Sequence, residues 1–142
     1  MRGIVLDTNV ISEPRRPRPE PTVTVWLAGQ GLERLYLTAT VVGELAHGVA
    51  ILPFGRRRGT FEAWLFELVH EQFAGRILSF DGEAALLFGQ ILAAARARGR
   101  PTDAGDAQIA AVARLHGMAV ATRDVGDFEP LGVTVINPWE PG

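Results

Sequence analysis

Short apolar segments alternate with helix-forming segments along the whole of this 142-residue chain. The apolar segments predict β-strands at residues 4–6, 35–38, 76–80, 119–122 and 133–136. Strands separated by helices pair in parallel, because each helix carries the chain back to the edge where the previous strand began. The order therefore predicts one α/β domain over residues 1–142, with a parallel sheet that is covered by helices on both faces.

Prolines and glycines delimit the predicted helices. These helices cover residues 8–13, 22–28, 41–52, 61–73, 82–98 and 103–116, and Pro14, Pro53, Gly75, Gly99 and Gly117 are placed to end five of them. Three consecutive arginines, residues 56–58, are predicted to lie in a solvated loop, although a basic loop is also where phosphate contact would be sought. The segment 61–73 has an apolar stripe at helical spacing, formed by Phe61, Trp64, Leu65 and Leu68, and we expect this stripe to be core, an interface between subunits or a groove for a partner helix.

Composition excludes several classes of site. The chain has no cysteine, which excludes disulfides and zinc–thiolate centres. All 14 of its basic residues are arginine, so no lysine can act as a Schiff base or general base. The net charge is -2, so contact with nucleic acid depends on local arginine clusters or on metal ions. No apolar segment has the length of a signal peptide or a membrane span, and we expect a cytoplasmic protein.

Four acidic residues lie where predicted strands end or predicted helices begin. Asp7 and Asp124 follow strands, while Glu44 and Asp106 lie in the opening turns of helices. In a parallel α/β sheet these positions share the edge formed by the carboxyl ends of the strands. Carboxylate oxygens are the ligands that Mg²⁺ or Mn²⁺ prefers. The sequence therefore predicts a metal site at that edge.

Each acid also has an ordinary structural interpretation. Asp7 and Asp103 are good helix N-caps, and we assign the capping role to Asp103 and a functional role to Asp106. Asp124 and Asp127 flank a turn, where aspartate is common. Glu44 does not fit a capping box, because the residue three positions before it is Val41.

Other classes of α/β protein with a functional site after the first strand require residues that this chain lacks. A phosphatase of the haloacid type requires a second aspartate at position 9, which is Asn9. A response-regulator receiver requires a lysine. A dinucleotide-binding domain requires a glycine-rich turn after the first strand, and residues 7–9 do not form one.

Four short motifs carry a family resemblance that spans essentially the whole chain. They are residues 6–13 (LDTNVISE), 43–48 (GELAHG), 106–111 (DAQIAA) and 121–124 (ATRD). Their order and spacing resemble the PIN-domain ribonucleases of bacterial toxin–antitoxin systems, the VapC type, and the FitB-like branch in particular. Phe80 and Asp81 before the long helix, and residues 137–139 near the end, are similar to that branch too.

The resemblance implies a PIN-like three-layer fold with about five parallel strands. It implies an endoribonuclease that depends on Mg²⁺ or Mn²⁺, forms a homodimer and is held inactive by a cognate VapB-like antitoxin. By position, Asp7, Glu44, Asp106 and Asp124 form the acidic cluster, and Thr8 assists water or metal. Many relatives have an asparagine where this chain has Asp124, followed by an aspartate that matches Asp127, so either residue fits the fourth position.

A second interpretation belongs to a different functional class. The chain would then be a catalytically silent PIN-like module that serves as the partner subunit of a DNA-binding antitoxin. The complete set of four acids favours catalysis over this alternative. RNA is the predicted substrate.

Overall fold

A computed structural model describes residues 3–141 and contains a parallel sheet of five strands within that range. The strands are β1 Ile4–Leu6, β2 Leu35–Thr38, β3 Ile77–Leu78, β4 Ala119–Ala121 and β5 Val135–Ile136. Their order across the sheet is β3-β2-β1-β4-β5, and every neighbouring pair is parallel. The predicted α/β class and parallel sheet are confirmed.

Over residues 3–141, seven α-helices connect or follow these strands. They are α1 Thr8–Ser12, α2 Pro21–Gly29, α3 Ala39–Ala50, α4 Arg56–Glu67, α5 Gly82–Ala97, α6 Ala104–Leu115 and α7 Val125–Phe128. Polar side chains begin the longer ones: the Thr38 hydroxyl accepts a hydrogen bond from the Val41 N–H, and the Asp81 carboxylate accepts one from the Ala84 N–H. In the described residues, no helix is long and apolar enough to cross a membrane.

The chain reverses its direction across the sheet at the centre. It moves outward from β1 to β2 and β3, then returns through α5 and α6 to β4 on the other side of β1. Strands β2 and β3 therefore lie on one side of β1, and β4 and β5 lie on the other. The carboxyl ends of β1 and β4 therefore form a topological switch point, which is where α/β sheets bind ligands.

The core is built on the central strands and on α6. Ile4, Val5 and Leu6 are all buried because β1 has neighbours on both edges and helices on both faces. Helix α6 is buried through its middle, at Ala107, Ile109, Ala110, Ala111, Val112 and Ala113. Its alanines allow close packing against the sheet and against α5, so the start of α6 is held firmly at the switch-point edge.

Several predicted boundaries are wrong. Pro14 does not end the first helical segment but lies in a 3₁₀ turn, Glu13–Arg15, that continues from α1, because proline is tolerated in the first positions of a helical turn. The predicted strands at residues 76–80 and 133–136 form ladders of only two residues each. The helix that carries the apolar stripe changes from α to π geometry at Leu68–Gln72, so its spacing is not uniform.

The prediction for residues 56–58 is also wrong. These three arginines form the first turn of α4, after Gly55 at φ 151°. Arginine favours helices, and Arg58 lies 3.3 Å from the Glu62 carboxylate one turn later. Helix-forming propensity outweighed the polar composition that had indicated a loop.

Candidate functional site

Asp7 lies at the end of β1 and is 5% exposed. Its backbone N–H donates to the Ala121 carbonyl at the end of β4 (2.9 Å), which places its side chain at the switch point. One carboxylate oxygen accepts from the Thr8 N–H (2.8 Å) and the other from the Thr122 hydroxyl (2.7 Å). Both donors are neutral, so the buried charge is oriented but not neutralised.

Glu44 reaches this site from α3. Its Oε1 accepts a hydrogen bond from the Thr8 hydroxyl at 2.6 Å. Its Oε2 lies against the first turn of α6, where a Cβ atom added to Gly105 would be 3.0 Å from it. Helix α6 can therefore approach Glu44 closely because position 105 has no side chain.

Asp124 enters from the other side, just after β4. Its Oδ2 accepts from the Asn9 side-chain amide (3.2 Å), and its backbone N–H donates to the Thr122 hydroxyl (3.0 Å). Thr122 is fully buried and so joins the carboxylate of Asp7 to the backbone of Asp124. Neither Asn9 nor Thr122 was assigned a role from the sequence, although both belong to the quoted motifs.

Asp106 lies at the beginning of α6 and faces the other acids. Asp103 is the N-cap of this helix, as predicted, and accepts from the Asp106 N–H at 3.2 Å. Partial burial, followed by repulsion from Asp7, Asp103, Asp127 and Glu44, raises the pKa of Asp106 to about 7.

The pKa of Asp7 is raised as well. Burial is the main cause, and repulsion from Glu44 and Asp124 adds to it, while the hydrogen bonds from Thr122 and Thr8 act in the opposite direction. Six carboxylates thus share one region of the molecule, which we call the acidic rim: Asp7, Glu44, Asp103, Asp106, Asp124 and Asp127. Within residues 3–141, no ion pair joins any of them to a cation.

The acidic rim has the donor chemistry for a hard cation, because its free ligands are carboxylate oxygens without compensating charge. In residues 3–141, however, no three acidic or histidine side chains already stand close enough to ligate one ion. Side-chain rotation is therefore needed before several carboxylates can share a cation. The structure brings the four predicted site acids and Thr8 into one neighbourhood, and their ligand roles stay a prediction.

Both candidates for the fourth acid lie at the rim. Asp124 contributes to the repulsion at Asp7, and Asp127 contributes to the repulsion at Asp106. Asp124, which precedes the short helix α7, thus lies nearer Asp7, whereas Asp127, within α7, acts on Asp106. Arg123 lies next to Asp124 in sequence, but its guanidinium carbon lies 5.0 Å from the centroid of the Trp139 ring.

Comparison with known proteins identifies a protein family and several similar bacterial proteins. The family profile described as PIN domain matches residues 4–130. The chain is 46% identical to Toxin FitB of Neisseria gonorrhoeae, over 96% of this chain and 98% of that protein. It is 45% identical to a VapC ribonuclease of Sinorhizobium fredii, over 97% of this chain and 99% of that protein.

The fold is similar to that of solved toxin–antitoxin complexes. A FitAB complex bound to a DNA fragment contains a chain that superposes with a TM-score of 0.92 at 44% identity, covering 96% of both chains. The likeness extends over the whole sheet and its helices, so it includes the elements that carry the acidic rim.

Proposed function

Because this chain belongs to the PIN-domain family, and to its VapC and FitB toxins in particular, we propose that it is a metal-dependent endoribonuclease. One observation carries this proposal: Asp7 is buried at the topological switch point among other carboxylates, with only neutral donors beside it. Such a site repels a phosphodiester by itself, and a bound divalent cation would make the field attractive at the point where the reacting phosphate lies.

The metal would be held by Asp7 and Asp106, with Glu44 and either Asp124 or Asp127 bound directly or through water. Mg²⁺ and Mn²⁺ suit this set of oxygen donors. When bound, such an ion lowers the pKa of a water molecule and stabilises the charge of an in-line displacement at phosphorus. Cleavage of this kind leaves a 5′-phosphate and a 3′-hydroxyl.

The residues of the chain have separate tasks in this reaction. The Thr8 N–H and the Thr122 hydroxyl orient the two oxygens of Asp7, and the Thr8 hydroxyl orients Glu44. Because the pKa of Asp106 is about 7, its protonated and ionised forms are both populated near neutral pH, and a bound cation would favour the carboxylate. These contacts prepare the ligands before the substrate arrives.

We propose that RNA is the substrate and that the protein acts in the cytoplasm, where bacterial RNA is translated. The test is cleavage of a labelled RNA by the purified chain with Mg²⁺ or Mn²⁺, with Asp7→Asn as the matched control. Wild-type cleavage that leaves 5′-phosphate ends, and is lost in the variant, supports the proposal. Equal activity of the two proteins means that the cleavage is a contaminant or that Asp7 is not a ligand.

We also propose a cognate antitoxin that covers the acidic rim and blocks it. Support comes from the FitAB complex above and from an open apolar groove between α3 and α4, of about 350 Å³. Val42, Val49, Leu65, Phe66 and Val69 line this groove, and Phe66 is 64% exposed. An amphipathic helix fits such a groove, and an arginine from the same partner can pair with the carboxylates.

Growth experiments test this partnership. Expression of the chain alone is expected to arrest growth, and co-expression with the product of the neighbouring gene is expected to restore it and to yield a stable complex. A homodimer is part of the same proposal and is measured by sedimentation of the purified chain. A chain that is harmless and binds no such partner is not a toxin.

The alternative function is a catalytically silent subunit of a complex whose antitoxin binds DNA. The similarity to a chain of the DNA-bound FitAB complex supports this alternative. The two functions differ in turnover: a silent subunit binds its antitoxin but cleaves no RNA, with or without Mn²⁺.

A further inference from the structure

Two arginines lie close to the acidic rim but form no ion pair with its carboxylates in the described residues. Arg98 and Arg100 line a small cavity of about 120 Å³ together with Asp103, Asp106, Asp127 and Pro130. Both arginines are exposed, and neither forms an ion pair with an acid among residues 3–141. Cations that border a group of carboxylates and remain unpaired retain their charge for another ligand.

The local sequence places these arginines firmly. Helix α5 ends in a Schellman turn with Arg98 as its C-cap: the Gly99 N–H (φ 72°) donates to the Arg96 carbonyl (3.0 Å), and the Arg100 N–H donates to the Ala95 carbonyl (3.0 Å). The turn folds the chain back at Gly99, so residues 98 and 100 border the same cavity. A rigid turn holds a pair of charges at less entropic cost than a flexible loop does.

Arg100 has a second attachment but remains able to bind. Its Nη2 donates to the Gly126 carbonyl in α7 (2.8 Å). A guanidinium has five N–H donors, so most of the donors of Arg100 remain available. This hydrogen bond joins the α5–α6 connection to α7, the helix that Asp124 precedes and that contains Asp127.

Most of the other arginines have different surroundings. Those with a guanidinium over an aromatic ring are Arg15, Arg57, Arg58, Arg76 and Arg123. Arg114 donates to the Leu131 carbonyl. Arg98 and Arg100 therefore differ from these residues, because they share a cavity with members of the acidic rim.

We propose that Arg98 and Arg100 bind a backbone phosphate of the RNA next to the phosphate that is cleaved. This inference rests on the proposed ribonuclease function. A metal ion compensates the charge of the reacting phosphate only, and the neighbouring phosphates of the strand still meet the six carboxylates of the rim. Guanidinium groups bind phosphate with paired hydrogen bonds, so two arginines at this position attract the strand and set its position.

Salt-dependent RNA binding tests this role separately from catalysis. The probe is a fluorescein-labelled single-stranded RNA, and its affinity for the wild-type protein is measured by anisotropy over a range of NaCl concentrations, with Ca²⁺, a weaker Lewis acid, in place of Mg²⁺ to occupy the carboxylates while slowing cleavage. Adding Arg98→Ala or Arg100→Ala is expected to weaken binding about 3- to 10-fold at low salt and to reduce the slope of log K against log salt by about 0.7 for each lost phosphate contact. Arg100→Lys, which keeps a charge, is expected to restore the slope. Arg56→Ala, in the exposed first turn of α4, is the matched control and is expected to change neither quantity.

The outcomes separate this inference from its alternatives. If Arg100→Ala lowers only the melting temperature, Arg100 merely tethers α7, and unchanged binding by Arg98→Ala then overturns the proposal. Unchanged RNA binding with weakened antitoxin binding assigns these arginines to the protein partner and also overturns it. So does a parent protein that binds no RNA at low salt. If the wild-type chain cleaves no RNA with Mn²⁺, the ribonuclease proposal fails by itself, whatever the binding slopes show.

Discussion

Two buried carboxylates near the start of the chain are stabilised in different ways. Glu13 is 4% exposed, accepts a hydrogen bond from the Glu20 N–H at 2.8 Å and lies 3.7 Å from the Arg16 guanidinium. Asp7 is 5% exposed, has two neutral donors and lies near Glu44 and Asp124. Glu13 is compensated within the fold and joins two helical segments, whereas Asp7 is left with an excess of negative charge.

The difference indicates which buried acid is structural and which is reserved for a ligand. Burying a charge is costly unless it is paired, so an unpaired acid persists only where another requirement outweighs stability. Around Asp7 the uncompensated negative charge is distributed over the six carboxylates of the acidic rim. Asp7 and Glu13 can therefore be compared within one molecule, because both are buried but only Glu13 lies near a cation.

Replacing Asp7 is expected to have the largest effect on function. Asp7→Asn keeps the size of the side chain but removes a predicted ligand, and RNA cleavage is expected to fall by more than about 100-fold. Circular dichroism is expected to show an intact fold. In Glu13→Gln, the specific activity of the folded protein is expected to remain close to that of the wild type. Equal losses of activity in the two variants would remove the distinction between these carboxylates.

Thr122 is expected to have the next largest effect, through the position of Asp7. Thr122→Val removes the hydroxyl that donates to Asp7 and leaves the Asp124 N–H without its acceptor, so kcat is expected to fall about 10- to 100-fold. Thr122→Ser keeps the hydroxyl and is expected to restore most of the activity. If valine and serine have the same effect, packing rather than the hydrogen bonds explains the loss.

Glu13 is expected to matter for stability. Glu13→Gln removes a charge-assisted hydrogen bond and the pairing with Arg16, and the free energy of unfolding is expected to fall by about 1–3 kcal/mol. Urea unfolding measures this change. An unchanged unfolding midpoint would mean that the compensation around Glu13 contributes nothing net, as is the case for many ion pairs.

Asp106 is expected to act on stability in the opposite direction. Its pKa of about 7 in the folded protein exceeds its ordinary value of 3.8, so the folded chain binds more protons between these values. Without metal, stability is therefore expected to fall as pH rises from about 4 to about 7. Asp106→Asn removes the contribution of this residue to the pH dependence and is expected to stabilise the protein by about 1–2 kcal/mol at neutral pH, after allowance for solvent screening of a partly exposed group.

Thermal unfolding of the metal-free protein at several pH values measures the effect of Asp106. A gain of about 3–6 °C in the melting temperature of Asp106→Asn at neutral pH is expected. A lower melting temperature at every pH would instead mean that the carboxylate stabilises the start of α6, as acids in a first helical turn commonly do.

Much of the fold was predictable because its signals are local. The alternation of strands and helices predicted the parallel sheet, and Asp103 and Gly99 were correctly placed at helix ends, because caps and positive φ depend on neighbouring residues. The strand ladders at Ile77–Leu78 and Val135–Ile136 are shorter than predicted, because ladder length depends on the partner strand. The predicted loop at residues 56–58 is wrong because arginine, although polar, also favours helices.

The candidate site was predictable in its acids but not in its supporting contacts. Asp7 and Asp106 are distinguished by charged side chains beside apolar segments, a pattern that the sequence displays directly. The hydrogen bond from Thr122 to Asp7 joins residues 115 positions apart, and the closeness of Glu44 to Gly105 depends on how two helices pack. Contacts of this kind arise from tertiary structure, and motif spacing does not specify them.

Mn²⁺ binding tests most directly whether the uncompensated acids of the rim hold a divalent cation. Titration followed by electron paramagnetic resonance reports bound Mn²⁺ without any need for RNA or turnover. Wild-type protein and Glu13→Gln are expected to bind Mn²⁺ alike, while Asp7→Asn and Asp106→Asn are expected to lose that binding. Undiminished Mn²⁺ binding by Asp7→Asn, or no binding by folded wild-type protein, would contradict the account.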